Sequence, residues 1–236
     1  MSIAARLTAI RGRIAAAAER SGRDPLSVTL VAVSKFHPVS AIEEAYACGQ
    51  RHFGENRVQE AEEKKGLLGP LLQGADPLRL ELIGALQSNK VRKAVAAVSR
   101  IQSIDSAELG ARVARVAAEA GRVMPVLIQV DLAGEATKSG VPADGLFPVL
   151  ESLRGVAGIS VDGLMAIPPL LDDPEDVRPY FKRLRELKDD AMARGLLARG
   201  ELSMGMSHDF EAAIEEGATI VRVGTSIFGE RPAKTA

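Results

Sequence analysis

Stretches rich in β-branched and other apolar residues alternate with helix-patterned segments eight times along this chain, and few folds accept that order. "VTLVAVS" (28–34), "RHFGE" (51–55), "RLELIGAL" (79–86), "SRIQSID" (99–105), "MPVLIQVDL" (124–132), "ISVDGLMAI" (159–167), "GELSMGM" (200–206) and "TIVRVGTSIF" (219–228) read as strands. The helical pattern occupies 2–20, 38–49, about 56–65, 87–98, 106–121, a stretch ending near Arg154, most of 173–195, and 208–217. A Gly/Pro-punctuated connector (66–78) and a polar loop, "AGEATKSGV" (133–141), interrupt the series. Alternation of this kind implies parallel strands joined by crossover helices. Eight such units in 236 residues match the size of a (β/α)8 barrel, about 200–250 residues. The expected fold is an α/β, TIM-type (β/α)8 barrel, a single domain over 1–236 with an extra N-terminal helix. That helix, with Ile3, Leu7, Ile10 and Ile14 at helical spacing, fills the place in the outer ring left open after the last strand. An open doubly wound sheet is the competing topology.

Composition narrows what such a fold does. With 46% hydrophobic and 26% charged residues, the chain has material for a sizeable core. A formal net charge of −1 gives no electrostatic footprint for nucleic acid or an anionic membrane. The one cysteine, Cys48, rules out an intramolecular disulfide, fits a reducing compartment and reads as packing. No apolar run approaches the roughly 20 residues of a membrane span. The N-terminus, with Arg6, Arg11 and Arg13 spread through it, lacks a signal-peptide layout. A cytoplasmic protein is expected. His37, His52 and His208 are scattered without the spacing of a zinc-binding pair, so no metal site is expected. "EEKK" (62–65) reads as a solvated helix face.

In a barrel, functional groups gather at the carboxyl ends of the strands. Lys35 ends the first apolar run, where its ammonium must stay hydrated or find a partner such as Glu55. The second strand leads into Gly54-Glu55-Asn56, and the fifth ends near Asp131. The seventh gives Met204-Gly205-Met206-Ser207 and the eighth Gly224-Thr225. Small residues let backbone N–H groups approach an anion, and hydroxyls add donors. The last two strand ends therefore resemble a phosphate cradle, with a helix opening at His208 aimed at it. Two ordinary tight turns are the plainer alternative. Period two puts Arg222 on the face opposite Val221 and Val223, inside the barrel, where a guanidinium is costly unless paired. An ion pair with Asp or Glu is the plainer alternative there. Together, a lysine amine, a phosphate cradle and an inward arginine are the parts needed to hold pyridoxal 5′-phosphate (PLP). Lysine forms a Schiff base with the aldehyde. Arginine does not give up its proton, so it keeps the pyridine nitrogen unprotonated.

Seven blocks carry a family resemblance: "VAVSK" (31–35), "FGENRVQE" (53–60), "IGALQSNK" (83–90), "KSG" (138–140), "GLMAIPP" (163–169), "LSMGMSHDFEAAI" (202–214) and "VRVGTSIFGER" (221–231). With these in one order, the chain resembles the pyridoxal phosphate homeostasis protein family, single-domain relatives of the alanine racemase N-terminal barrel. The resemblance covers nearly the whole length. It implies PLP bound through the lysine matching Lys35, with Arg222 facing the pyridine nitrogen. It also implies that Ser207, Gly224 and Thr225 hold the phosphate and that Asn56 lines the pocket. No catalytic residue is implied, because the family is credited with buffering or delivering PLP, not with an established reaction. Two positions depart from the family pattern. Leu80-Glu81-Leu82 stands where members often have an aromatic-His-Phe run, and Asp131 stands where the polar loop usually begins with Asn; both put the rim of the pocket in question.

The expected partners are PLP and, as recipients, apo forms of PLP-dependent enzymes; a monomer without nucleic-acid or membrane partners is expected alongside. A weak PLP-dependent amino-acid racemase or lyase and a Schiff-base aldolase are the alternative readings. Racemases built on this barrel resemble it only in part, adding a β-domain that supplies a tyrosine base, for which the chain leaves no room after the eighth strand. Tyr46 and Tyr180 fall in expected helices. Racemisation needs acid/base groups on both faces of the cofactor, and Lys35 is the one nominated.

Overall fold

The computed structural model describes residues 1–134 and 139–229. Its strands are β1 (Thr29–Val33), β2 (His52–Glu55), β3 (Arg79–Leu82), β4 (Arg100–Ile104), β5 (Met124–Asp131), β6 (Val141–Pro142), β7 (Ile159–Met165), β8 (Glu201–Ser203) and β9 (Ile220–Val223). Every pairing is parallel. The order β4-β3-β2-β1-β9-β8-β7-β5 closes through a further β4–β5 pairing, so the expected eight strands form a barrel and not an open sheet. β6 is a two-residue addition beside the end of β5 that the sequence pattern does not announce.

The helices are α1 (Ile3–Arg20), α2 (Val39–Ala47), α3 (Val58–Leu67), α4 (Val91–Ala97), α5 (Ala107–Glu119), α6 (Leu146–Leu153), α7 (Pro174–Ala193), α8 (Phe210–Glu215) and α9 (Thr225–Phe228). Ser2 caps α1 by accepting the Ala5 N–H at 3.2 Å, and Gly22 at φ 68 ends it. Leu7, Ile10 and Ile14 are its buried stripe. The helix packs against α2, α8 and α9, and Arg13–Glu211 and Arg20–Glu215 pairs at 2.8 Å tie it to α8. It thus fills the expected place in the outer ring. No described helix is long and apolar enough to cross a membrane.

Two of the expected strands end early for local reasons. The expected strand 219–228 stops at Val223, because Gly224 turns the chain and its carbonyl accepts the amides of Ile227 and Phe228. The expected strand 79–86 stops at Leu82, two residues before Gly84, where a Cβ would stand 2.2 Å from the Asn56 carbonyl oxygen. Pro148 is tolerated in α6 because it sits in the first turn, where no amide is needed. Inside the barrel, Val31, Leu127, Met165 and Ile220 form a small apolar plug separate from the larger core under the helices.

Leu7 is fully buried, so Leu7→Ala is expected to cost about 2–5 kcal/mol in chemical denaturation. Removing the exposed Arg13–Glu211 pair with Arg13→Ala should cost less than about 1 kcal/mol. The reverse ranking would contradict the packing described for α1.

Candidate functional site

The carboxyl ends of the strands surround a cavity of about 670 Å³, within the roughly 300–1,000 Å³ of small-ligand sites. Lys35, Asn56, Ser207, Arg222, Gly224 and Thr225, spread over nearly 200 positions in the sequence, all line it. Sequence reasoning missed Gln129, His37 and His208, which join them. Gln129 was recoverable: period two along β5 puts it on the same face as the inward Leu127. His37 stacks on Phe228 with centroids 5.1 Å apart, and His208 Nε2 lies 3.0 Å from the Asp172 carbonyl oxygen. Burial, then the nearby Lys64 charge, pushes the His37 imidazole below its ordinary value despite Glu60. Among the described residues, no three His, Cys, Asp or Glu side chains group as metal ligands.

Lys35 sits in a half-buried turn two residues past β1, and the next residue, Phe36, has φ 67, in the left-handed region. A buried ion cluster beneath shapes this turn. Lys64 Nζ donates to the Ser34 carbonyl at 2.8 Å, to Glu55 Oε1 at 2.7 Å and to Glu60 Oε1 at 2.8 Å. Ser34 Oγ donates to Glu55 Oε1 at 2.6 Å, and the Phe36 amide donates to Glu60 Oε1 at 2.6 Å. The expectation that "EEKK" is a solvated face therefore fails at Lys64, which is 5% exposed. An α3 that presented all four residues to water would leave Glu55 buried without a cation. Burial pushes the Glu55 carboxyl above its usual range, with Lys64 and Ser34 pulling the other way.

Arg222 is 4% exposed and forms part of the cavity wall. Nη1 donates to Ser203 Oγ at 2.6 Å and Nη2 to the Ala166 carbonyl at 2.8 Å. Among the described residues no carboxylate makes a salt bridge with it, so the ion pair weighed in the sequence is absent. Desolvation lowers its pKa to about 10, with Asp209 opposing, so it stays charged at neutral pH.

The β8–α8 turn is tight. Gly205 has φ 90, and a Cβ there would stand 2.6 Å from Ala213 Cβ and 2.9 Å from Phe210 Cα. The helix after it begins at Phe210, not at the expected His208, because Asp209 Oδ1 accepts the Met206 amide at 2.6 Å and holds the turn open. Across from it, a Cβ on Gly224 would lie 3.2 Å from Val33.

Neither departing position lines the cavity. Asp131 Oδ1 accepts the amides of Ala133 and Gly134, each at 3.0 Å, and so folds its own loop. Glu81 is buried in the barrel interior, with His52 Nδ1 2.7 Å from its Oε1. Burial pushes its carboxyl up, but the His52 hydrogen bond, the Arg100 charge and the Gln102 hydrogen bond outweigh this and hold it below its usual range. Tyr46 Oη donates to the Asp76 carbonyl, and neither tyrosine lines the cavity. Lys138 of "KSG", and Glu230 and Arg231, lie outside the described residues.

Lys64→Ala is expected to cost about 3–5 kcal/mol in urea denaturation, because it leaves Glu55 buried without its cation. Lys64→Met combined with Glu55→Gln should recover most of that; equal losses would contradict the pairing. For Glu81, the folded pKa lies below the unfolded value near 4.5, so its stabilisation is present above that pH and lost as pH falls through the folded value. Acid denaturation should therefore be steeper for wild type than for Glu81→Gln, and parallel curves would count against an ionised Glu81.

The sequence matches the family described as alanine racemase, N-terminal domain, over residues 5–232. It is 45% identical to the pyridoxal phosphate homeostasis protein of Aquifex aeolicus over 231 residues, 98% of this chain and 99% of that one. PipY of Synechococcus elongatus, solved with PLP bound, is 42% identical, with a TM-score of 0.83 over 97% of this chain and 100% of PipY. An alanine racemase of Clostridium difficile shares the fold alone, with 13% identity and a TM-score of 0.70 over 88% of this chain and 56% of that one. A closed eight-stranded parallel barrel, a cavity at its carboxyl mouth lined by Lys35 and Arg222, and near-complete coverage agree: the chain belongs to the alanine racemase N-terminal domain family and, within it, to the pyridoxal phosphate homeostasis proteins.

Proposed function

We propose that this chain binds PLP at the carboxyl mouth of the barrel and stores or hands over the cofactor, with residues 1–236 acting as one cytoplasmic, monomeric PLP-binding unit and apo PLP-dependent enzymes as recipients. One observation carries the reading. Arg222 is a buried guanidinium on a cavity wall with two bonds to neutral acceptors and, among the described residues, no carboxylate bonded to it, so its remaining N–H groups call for an acceptor in the cavity. A pyridine nitrogen supplies a lone pair there without needing a charge. Ser207, Gly224 and Thr225 offer hydroxyl and backbone donors for the phosphate, Lys35 is the amine for the Schiff base, and Asn56 lines the same space. When bound, PLP supplies an aldehyde that a lysine amine captures reversibly, which is what storage and release require. PLP-bound PipY, 42% identical to this chain, supports the choice of ligand. The homeostasis names of the relatives support storage over turnover.

A second reading, weak racemase or lyase activity, is favoured by His37 and His208, which bring two further proton-accepting groups to the cavity lining. Incubation with several free amino acids, with Lys35→Ala as control, separates the two. Absence of turnover favours storage, and Lys35-dependent turnover favours the enzyme.

Mixed with PLP, the purified protein is expected to gain a visible absorption band that borohydride removes, leaving the label at Lys35. A band retained in Lys35→Ala contradicts that assignment, and a colourless protein with aldol activity would favour the aldolase reading. Ser207→Ala and Thr225→Ala should each weaken PLP retention by about tenfold, the worth of one charge-assisted hydrogen bond, while leaving apo-protein melting unchanged. Wild-type retention in both would remove the cradle.

A further inference from the structure

A line of hydrogen bonds runs through the barrel interior from the cavity to the opposite mouth. Arg222 Nη1 donates to Ser203 Oγ at 2.6 Å, Ser203 Oγ donates to Gln102 Oε1 at 2.6 Å, and Gln102 Nε2 donates to Glu81 Oε2 at 2.7 Å. The four residues come from β9, β8, β4 and β3, and each is no more than 4% exposed. Every donor points the same way, from the guanidinium towards the carboxylate. On the far side, His52 Nδ1 stands 2.7 Å from Glu81 Oε1 and Arg100 Nη1 3.9 Å from Oε2. Arg100 is shared with Asp162 at 3.8 Å and Glu201 at 3.0 Å.

The uniform direction has a physical consequence. A hydroxyl that donates to a strong acceptor becomes a better acceptor itself, so the bonds polarise one another. The negative end of the line is Glu81 and the positive end is Arg222, two residues that do not touch. A carboxylate placed directly against Arg222 would occupy N–H groups that the cavity needs and would bring a negative charge to the pocket floor. Two neutral side chains between them keep the compensation and remove the obstruction.

We propose that Glu81 is a positioning residue which, through Gln102 and Ser203, acts as a relayed counter-charge that orients and polarises Arg222 towards the cavity; this rests on the PLP-binding reading above. The Ala166 carbonyl fixes Nη2, and the relay fixes Nη1, so the guanidinium plane is held at two corners while its remaining N–H groups are left for a ligand.

The test uses the full-length protein, PLP titrations followed by absorbance, and melting of the apo forms. Wild type should take up PLP and show its band; failure there overturns the functional reading and this inference with it. Glu81→Gln, which keeps the shape and removes the charge, should weaken PLP about three- to tenfold and displace the band, as should Ser203→Ala, which cuts the line. The double variant should be no weaker than Ser203→Ala alone, because the charge then has no route to Arg222. A wild-type band and affinity in Glu81→Gln, or losses that multiply in the double variant, overturn the relay while leaving PLP binding intact. Should Glu81→Gln not fold, Ser203→Ala decides: a displaced band with near-wild-type apo melting supports the proposal, and an unchanged band overturns it.

Discussion

A guanidinium sealed inside a protein must be answered by acceptors, and how Arg222 is answered organises the whole carboxyl mouth of this barrel. Desolvation lowers its pKa to about 10 without discharging it, so a full positive charge sits on the wall of a cavity of about 670 Å³. A direct ion pair would have settled the charge and closed the site. Instead the side chain bonds a hydroxyl and a carbonyl while lining the cavity. That choice makes the barrel interior polar along one column, where a TIM barrel is usually filled by branched apolar residues. The apolar remainder shrinks to Val31, Leu127, Met165 and Ile220.

The lysine side of the mouth solves a different problem by a related device. Lys35 stands on a turn, and turns are soft unless something below holds them. Lys64 reaches from α3 to the Ser34 carbonyl, and Glu60 takes the Phe36 amide, so the residues on both sides of Lys35 are pinned to one buried ion cluster. Such a cluster adds little net stability over an apolar equivalent, yet removing one member is costly. Its worth here is positional: it fixes the backbone from which Lys35 extends, including the left-handed conformation at Phe36. Two buried networks, one outside the barrel wall and one within, thus set the two cationic groups that face the same cavity.

Much of this was legible in the sequence because it depends on periodicity. Alternating strands and helices gave the barrel, and Leu7, Ile10 and Ile14 marked the helix that completes the ring. Period two turned Arg222 inward, and the order of the strands brought Lys35, Asn56, Ser207, Gly224 and Thr225 to one end. What stayed hidden depends on which distant side chains meet. Lys64 sits in a run of four charges that looks solvated, and nothing local tells that Glu55 needs it. Glu81 looked like an intruder at the rim because its partners, Gln102 and His52, lie on neighbouring strands far along the chain. Gly224 hides the end of the last strand, since the helical turn behind it is made of Thr-Ser-Ile-Phe, residues that suit a strand equally well.

In the proposed holo-protein, Arg222 presents a donor edge to a neutral ring nitrogen. Nitrogen-15 NMR of the protein loaded with PLP labelled at that nitrogen tests it most directly. The expected result is the chemical shift of an unprotonated pyridine that stays constant from mildly acidic to neutral pH. A pyridinium shift, or one that titrates as it does in water, would contradict it.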